Sequence, residues 1–148
     1  MKVLKFGGSS VANSENIKKV LAIVAIASKE QKVAVVVSAF GKTTDNLLAA
    51  ANSALVDITI AKNILETIKE LHYQVIDDLI SSQKEEVLEV VTSLLDRLCS
   101  IYEGIFLLQE LSDKTLAKVS SFGERLSSFI IANAGKDLFD AAHKDSKT

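Results

Sequence analysis

The chain has 148 residues, enough for one domain with a real core, and carries a formal net charge of −2 from 17 basic and 19 acidic side chains. Apolar residues make up 48% and charged residues 24%, a globular balance without the basic block of a nucleic-acid binder. The longest apolar run, 20–27, is too short to span a bilayer and no signal-peptide segment opens the chain. A cytoplasmic protein with no membrane or nucleic-acid partner is therefore expected.

Lys2–Phe6 reads as a short strand that carries Lys5 and runs directly into Gly7-Gly8-Ser9-Ser10. Two consecutive glycines let the backbone approach a ligand closely and turn its N–H groups onto one point. A helix is expected from Ser14 to Lys29, with its positive N-terminal end facing the same place. A cation, bare amides and hydroxyls at a strand-to-helix junction are what a phosphate site needs. Neither Gly-x-x-x-x-Gly-Lys-Ser/Thr nor Gly-x-Gly-x-x-Gly occurs, and the lysine precedes the glycines on the strand itself. Taken alone, the Gly-Gly pair also fits a plain tight turn.

The first helix shows an apolar face at Ile17, Val20, Leu21, Val24 and Ala27. Val33 to Ala39 is then a continuous β-branched run, the pattern of a parallel strand buried on both faces. Strand, helix and strand make a right-handed βαβ unit. Ser38-Ala-Phe-Gly-Lys-Thr-Thr-Asp45 follows, at the carboxyl end of a parallel strand, where open α/β sheets bind ligands. Ser38, Thr43 and Thr44 offer hydroxyls and Lys42 a charge. A turn leading into a capped helix would look the same.

Three helices come next, 45–55, 57–80 and 86–108, the second and third joined through Ser81-Ser82-Gln83. The absence of proline favours such long helices. Their apolar positions recur at three and four, as expected of scaffold or of a subunit contact. The single Cys99 excludes an internal disulfide, suits a reducing cytosol and reads as a core thiol. His72 and His143 lie far apart with no cysteine near them, so a zinc site is not expected.

A last helix should open at Ser112 or Asp113 and stop near Gly135, acting as the residue just past its end. Its core stripe is Leu116, Val119, Phe122, Leu126, Phe129 and Ile130. Ser120, Ser121, Glu124, Ser127 and Ser128 share one side, with Gly123 beside them. Small hydroxyls around one carboxylate permit close approach of a ligand or another element. Glu124 could bind an ammonium group there, or simply hold a salt bridge.

Three segments together resemble one family. Lys5-Phe-Gly-Gly-Ser-Ser-Val11, Val36-Val-Ser-Ala-Phe-Gly-Lys-Thr-Thr-Asp45 and Ser121-Phe-Gly-Glu-Arg-Leu-Ser127 look like the N-terminal part of aspartokinase. They stand in that family's order, with its helical insert between the second and third. The resemblance implies an α/β, three-layer amino-acid kinase (carbamate kinase-like) fold, here its N-terminal portion, with a parallel sheet and a long helical insert. It implies ATP-dependent phosphorylation of the β-carboxylate of L-aspartate, the first step toward lysine, threonine and methionine, with ATP and Mg2+ as cofactors.

By the same resemblance Lys5 would serve the transferring phosphoryl group. Phe6, Gly7, Gly8, Ser9 and Ser10 would complete the phosphate loop. Ser38 and Thr44 would hold the aspartate carboxylates and Glu124 its ammonium. Arg125 would anchor either the helix or the substrate, and no metal ligand is assigned. The parent enzyme would be a homo-oligomer.

Two departures from the family are small: Ser9 stands where threonine is common, and Gly41-Lys42 is one of several loop variants. A larger one is that the family's nucleotide-binding segments, Gly-Ser-Asp and Thr-Asp-x-Asp-Gly, and its regulatory ACT domains do not occur. Phe139-Asp140 would lead into another strand, ahead of the polar run His143 to Thr148. The chain is thus expected to be a truncated part of one catalytic domain, inactive by itself. Other readings are another amino-acid kinase, against which the Gly-Glu-Arg-Leu helix argues, or a non-catalytic anion-binding or assembly module.

Overall fold

The computed structural model describes residues 1–136 and Leu138. The expected Phe139-Asp140 extension and His143 lie outside the described residues. Strand β1 (Lys2–Phe6) pairs in parallel with β2 (Val33–Val37), in register from Lys2 opposite Val33 to Phe6 opposite Val37. Between them come a single 3-10 turn, Gly8–Val11, and helix α1 (Ser14–Ser28). Along β1 the alternation is plain: Leu4 and Phe6 are half-buried against the core, and Val3 and Lys5 face outward.

Helix α1 starts where Asn13 caps it, its side chain accepting the Asn16 N–H at 2.9 Å. Ile17, Val20, Leu21 and Val24 form its buried face, while Ala27 is only partly covered. The Ser14 hydroxyl donates to the Asp78 carboxylate at 2.6 Å, tying the helix start to α3 (Ile58–Leu79).

The expectation that β2 is buried on both faces holds only at its end. Val37 is buried, whereas Val35 and Val36 are 36% and 48% exposed. Both α1 and α5 (Asp113–Gly135) touch β2, but no third strand borders it among the described residues and its middle stays open.

The helical part is a two-helix hairpin packed with two further helices that also touch each other. Helix α2 (Thr43–Ala54) begins two residues before the expected Asp45. Asp57 caps α3 by accepting the Thr59 N–H at 2.9 Å. Helix α4 (Lys84–Leu108) follows the Ser81-Ser82-Gln83 link, starting two residues before the expected Glu86. Gln83 and Gln109, at φ 57° and 56°, take the left-handed conformation that breaks the chain at each end of α4. Lys84 pairs with Asp77 across the link, and Lys62 with Glu103 at 3.5 Å near the other end of the hairpin.

Tyr102 is fully buried, and its hydroxyl donates to the Leu47 carbonyl at 3.0 Å, locking α4 to α2. Burial pushes its pKa upward. Cys99 is half-buried rather than sealed in the core. Burial first, and the Glu103 carboxylate 3.8 Å from its Sγ second, push the thiol up, so it is a weak nucleophile.

Ser112 caps α5, accepting the Thr115 N–H at 3.1 Å. Gly135 departs from the expected stop: it is the last helical residue, and Lys136 ends the helix in a right-handed conformation with its N–H on Asn133 O. The end needs no left-handed residue because that tightened last turn closes it. Val119, Phe122, Leu126 and Ile130 are buried as expected, and Leu116 and Phe129 partly so.

Candidate active site

Parallel pairing in register places the two loops that follow the strands side by side. The Ser38 N–H donates to Phe6 O at 3.0 Å, continuing the ladder one step past the strands. The chain then bends at Gly41, whose φ of +51° is left-handed, and Gly41 N–H donates to Gly8 O at 3.3 Å. A Cβ on Gly8 would lie 3.4 Å from Gly41 O and 3.5 Å from Ala39 O, so the two loops touch backbone to backbone.

The first loop is folded on itself. Ser10 N–H donates to Gly7 O at 3.1 Å, and Ser9 O accepts from Asn16 Nδ2 at 3.0 Å. The side chains of Ser9 and Ser10 are exposed. The α1 terminus does not act as simply as expected: the 3-10 turn separates it from the glycines, and Asn13 already occupies its Asn16 amide.

The third segment arrives on α5. Ser127 is buried and its hydroxyl donates to Ser38 O at 2.8 Å, across 89 positions of sequence. One turn earlier, Gly123 lies against the second loop. A Cβ there would stand 2.7 Å from Ala39 Cβ, 3.3 Å from Leu47 Cδ1 and 3.6 Å from Thr44 Oγ1. Only a bare backbone fits. Gly123→Ala should therefore push α5 off the loop and cost about 1–3 kcal/mol, read as a lower denaturant midpoint; an unchanged midpoint would show that the contact is slack.

The serine face of α5 is not the open hydroxyl surface its sequence suggested. Ser121 donates to Lys118 O at 2.6 Å and Ser128 to Arg125 O at 3.4 Å, both within the helix, while Ser127 turns inward. Glu124 stays exposed beside them. The Arg125 guanidinium lies over the Phe122 ring at 5.0 Å.

Three segments that are remote in sequence thus meet at the carboxyl ends of the two parallel strands. Lys5 stands exposed two residues before Gly7, and Thr44 is half-buried at the start of α2. Cationic Lys5 and Lys42, backbone donors and hydroxyls suit an anion, and anionic Glu124 suits a cation. Among the described residues no group of three or more His, Cys, Asp or Glu side chains could hold a metal ion.

Two buried groups lie behind the loop: Thr43, whose hydroxyl the sequence offered to a ligand, and His72, weighed from sequence only as a zinc ligand. Thr43 is buried with its Oγ1 unpartnered. His72, on α3, is fully buried with its ring 5.1 Å from that of Phe40; desolvation lowers its pKa to about 4, against a smaller opposing effect of the Ile68 carbonyl. A histidine within the aliphatic stripe of α3 was the sequence signal that could have marked it. An open concavity of about 520 Å³ lies elsewhere, along α4 between Glu85 and Asp96, and none of its lining residues belongs to the three segments.

Among the described residues no helix is long and apolar enough to cross a membrane. The chain is 38% identical over 133 residues to aspartokinase 1, chloroplastic, of Arabidopsis thaliana, an alignment covering 88% of this chain and 22% of that protein. It is 34% identical over 139 residues to the bifunctional aspartokinase/homoserine dehydrogenase of Buchnera aphidicola subsp. Acyrthosiphon pisum (strain APS), covering 88% of this chain and 16% of that one. It therefore spans about a fifth of the length of the curated relatives it matches. The fold superposes on E. coli aspartokinase III in complex with aspartate and ADP (R-state) with a TM-score of 0.81, over 93% of this chain and 29% of that one, at 23% identity. Residues 1–139 match the amino acid kinase family, and with the family's match running across nearly the whole fold, the chain belongs to it.

Proposed function

We propose that the chain is the N-terminal part of an aspartokinase catalytic domain, transferring the γ-phosphoryl group of ATP to the β-carboxylate of L-aspartate. A carboxylate oxygen attacks the γ-phosphorus, the bond to the β,γ-bridging oxygen breaks, and ADP leaves as aspartyl phosphate forms. The observation that carries this reading is the meeting of the Gly7-Gly8 loop, the Ser38–Thr44 loop and the Gly123–Ser127 turn of α5 at one end of the parallel strands. Relatives named aspartokinase, 34–38% identical along 88% of the chain, support it.

Such a transfer depends on positioning and on neutralising charge more than on covalent help. Lys5, exposed two residues before Gly7, would offset charge developing on the transferring group. The backbone of Phe6, Gly7 and Gly8 and the hydroxyls of Ser9 and Ser10 would line the phosphate side. Ser38 and Thr44 would take the aspartate carboxylates, and Glu124 its ammonium. Magnesium would come with the phosphates of ATP, and the chemistry assigned to this chain runs through its own groups. A cytosolic setting, a homo-oligomeric enzyme and a product that feeds lysine, threonine and methionine synthesis belong to the same reading.

Glu124 provides the test. In the complete enzyme, Glu124→Gln keeps shape and removes charge, and a charge-assisted hydrogen bond is worth about 10–100-fold in binding. Aspartate binding should weaken by that factor, with the KM for ATP little changed. Equal losses for both ligands would reassign Glu124 to a structural ion pair. A wild-type enzyme that consumes no ATP on adding aspartate would overturn the function itself.

A further inference from the structure

The buried stripe of α3 is aliphatic at Leu65, Ile68, Val75 and Ile76 and is interrupted by His72. A leucine would fill that position without a hydration cost, whereas the imidazole leaves Nε2 buried with no hydrogen-bond partner. What the ring gains is a fixed orientation. Its Nδ1 lies 2.7 Å from the Ile68 carbonyl one turn back, and since a carbonyl only accepts, the proton is on Nδ1. So held, the ring lies against Phe40 at a tilt of 32°.

Phe40 is fully buried and sits at the centre of the second loop. Its carbonyl accepts the Thr43 N–H at 2.9 Å, and its neighbours Ala39 and Gly41 make the backbone contacts with Gly8. The left-handed bend at Gly41 follows it directly. A loop that bends at a glycine has many alternative paths, so an anchor on its inner side decides which one it takes.

We propose that His72 is a positioning residue: its ring, tethered to the α3 backbone, seats Phe40 and so sets the Ser38–Thr44 loop in the geometry that takes the carboxylates of aspartate. This deepens the aspartokinase reading and rests on it. His72 lies behind the loop and touches no ligand. It gives the helical hairpin a role in the site beyond scaffolding.

The test uses the complete enzyme as wild type, His72→Leu and His72→Phe. Leucine keeps the volume and loses the ring, while phenylalanine restores a flat ring without the tether. His72→Leu should raise the KM for aspartate about tenfold, since small misplacements of binding groups carry large penalties. The KM for ATP should move less than about twofold and the melting temperature at neutral pH should not fall. His72→Phe should recover most of the aspartate affinity. Hydrogen exchange over residues 38–46 should quicken in His72→Leu and return toward wild type in His72→Phe. An unchanged aspartate KM, or both KM values rising together with a lower melting temperature, would overturn the proposal. Unchanged exchange over 38–46 would overturn it whatever the substrate proves to be. A wild type without aspartate-dependent ATP consumption would instead refute the functional reading, leaving the exchange result to decide the role of His72.

Discussion

Replacing Lys5 with alanine in the complete enzyme should lower the turnover number about 100-fold or more, as expected when one well-placed charge stabiliser is lost from a transition state. The melting temperature should stay near that of the wild type. Leu4 and Phe6 carry the packing of β1, whereas the Lys5 side chain faces outward, so its loss leaves no cavity. Among the described residues it forms no ion pair that would be broken. A lysine on an open strand face two residues before Gly7 thus adds little to the fold. Turnover equal to wild type would remove Lys5 from the chemistry, and a large drop in melting temperature would make it a structural residue.

Acid should weaken the fold through His72, the one strongly depressed histidine among the described residues. In the unfolded chain the imidazole takes up a proton near pH 6.5, but in the folded protein burial delays this to about pH 4. Between those values the unfolded state binds more protons, so stability rises with pH across the window and is lost as pH falls through it. At about 1.4 kcal/mol per pH unit, the full effect is about 3 kcal/mol. Denaturant midpoints measured from pH 7 to pH 4 should show the decline in wild type and a flatter profile in His72→Leu. Identical profiles would mean that the ring is hydrated in solution. Asp78 acts in a lower range: hydrogen bonds from Ser14 first and Gln74 second hold its carboxylate below its ordinary 3.8, so the stability it adds is present above that value and lost beneath it.

Much of this architecture was legible because it rests on local rules. The 3.6 periodicity located every α-helix among the described residues to within two residues, and Ser112 signalled the start of α5 by its capping chemistry. The misses have long-range causes. Burial of Val35 and Val36 depends on what lies over the sheet, which a β-branched run does not encode. Whether the serines of α5 face a ligand depends on hydroxyl rotors, and those of Ser121 and Ser128 fall on nearby carbonyls of their own helix. The nearness of the Lys5, Ser38 and Glu124 segments came from resemblance, because spacing alone could not bring residue 127 beside residue 38. His72 was weighed only as a metal ligand. Its partner is an aromatic ring on a loop 32 positions earlier, and no periodicity links the two.

The Ser127–Ser38 hydrogen bond also ranks the events of folding. Its two ends are 89 residues apart, and closing a flexible loop of that length costs about 4 kcal/mol in chain entropy before any contact repays it. The α3–α4 hairpin is joined by a link of only a few residues and meets no such barrier. The hairpin is therefore expected to consolidate from near neighbours before α5 returns to β2. The junction of the three segments thus carries a higher loop-closure cost than the hairpin beside it.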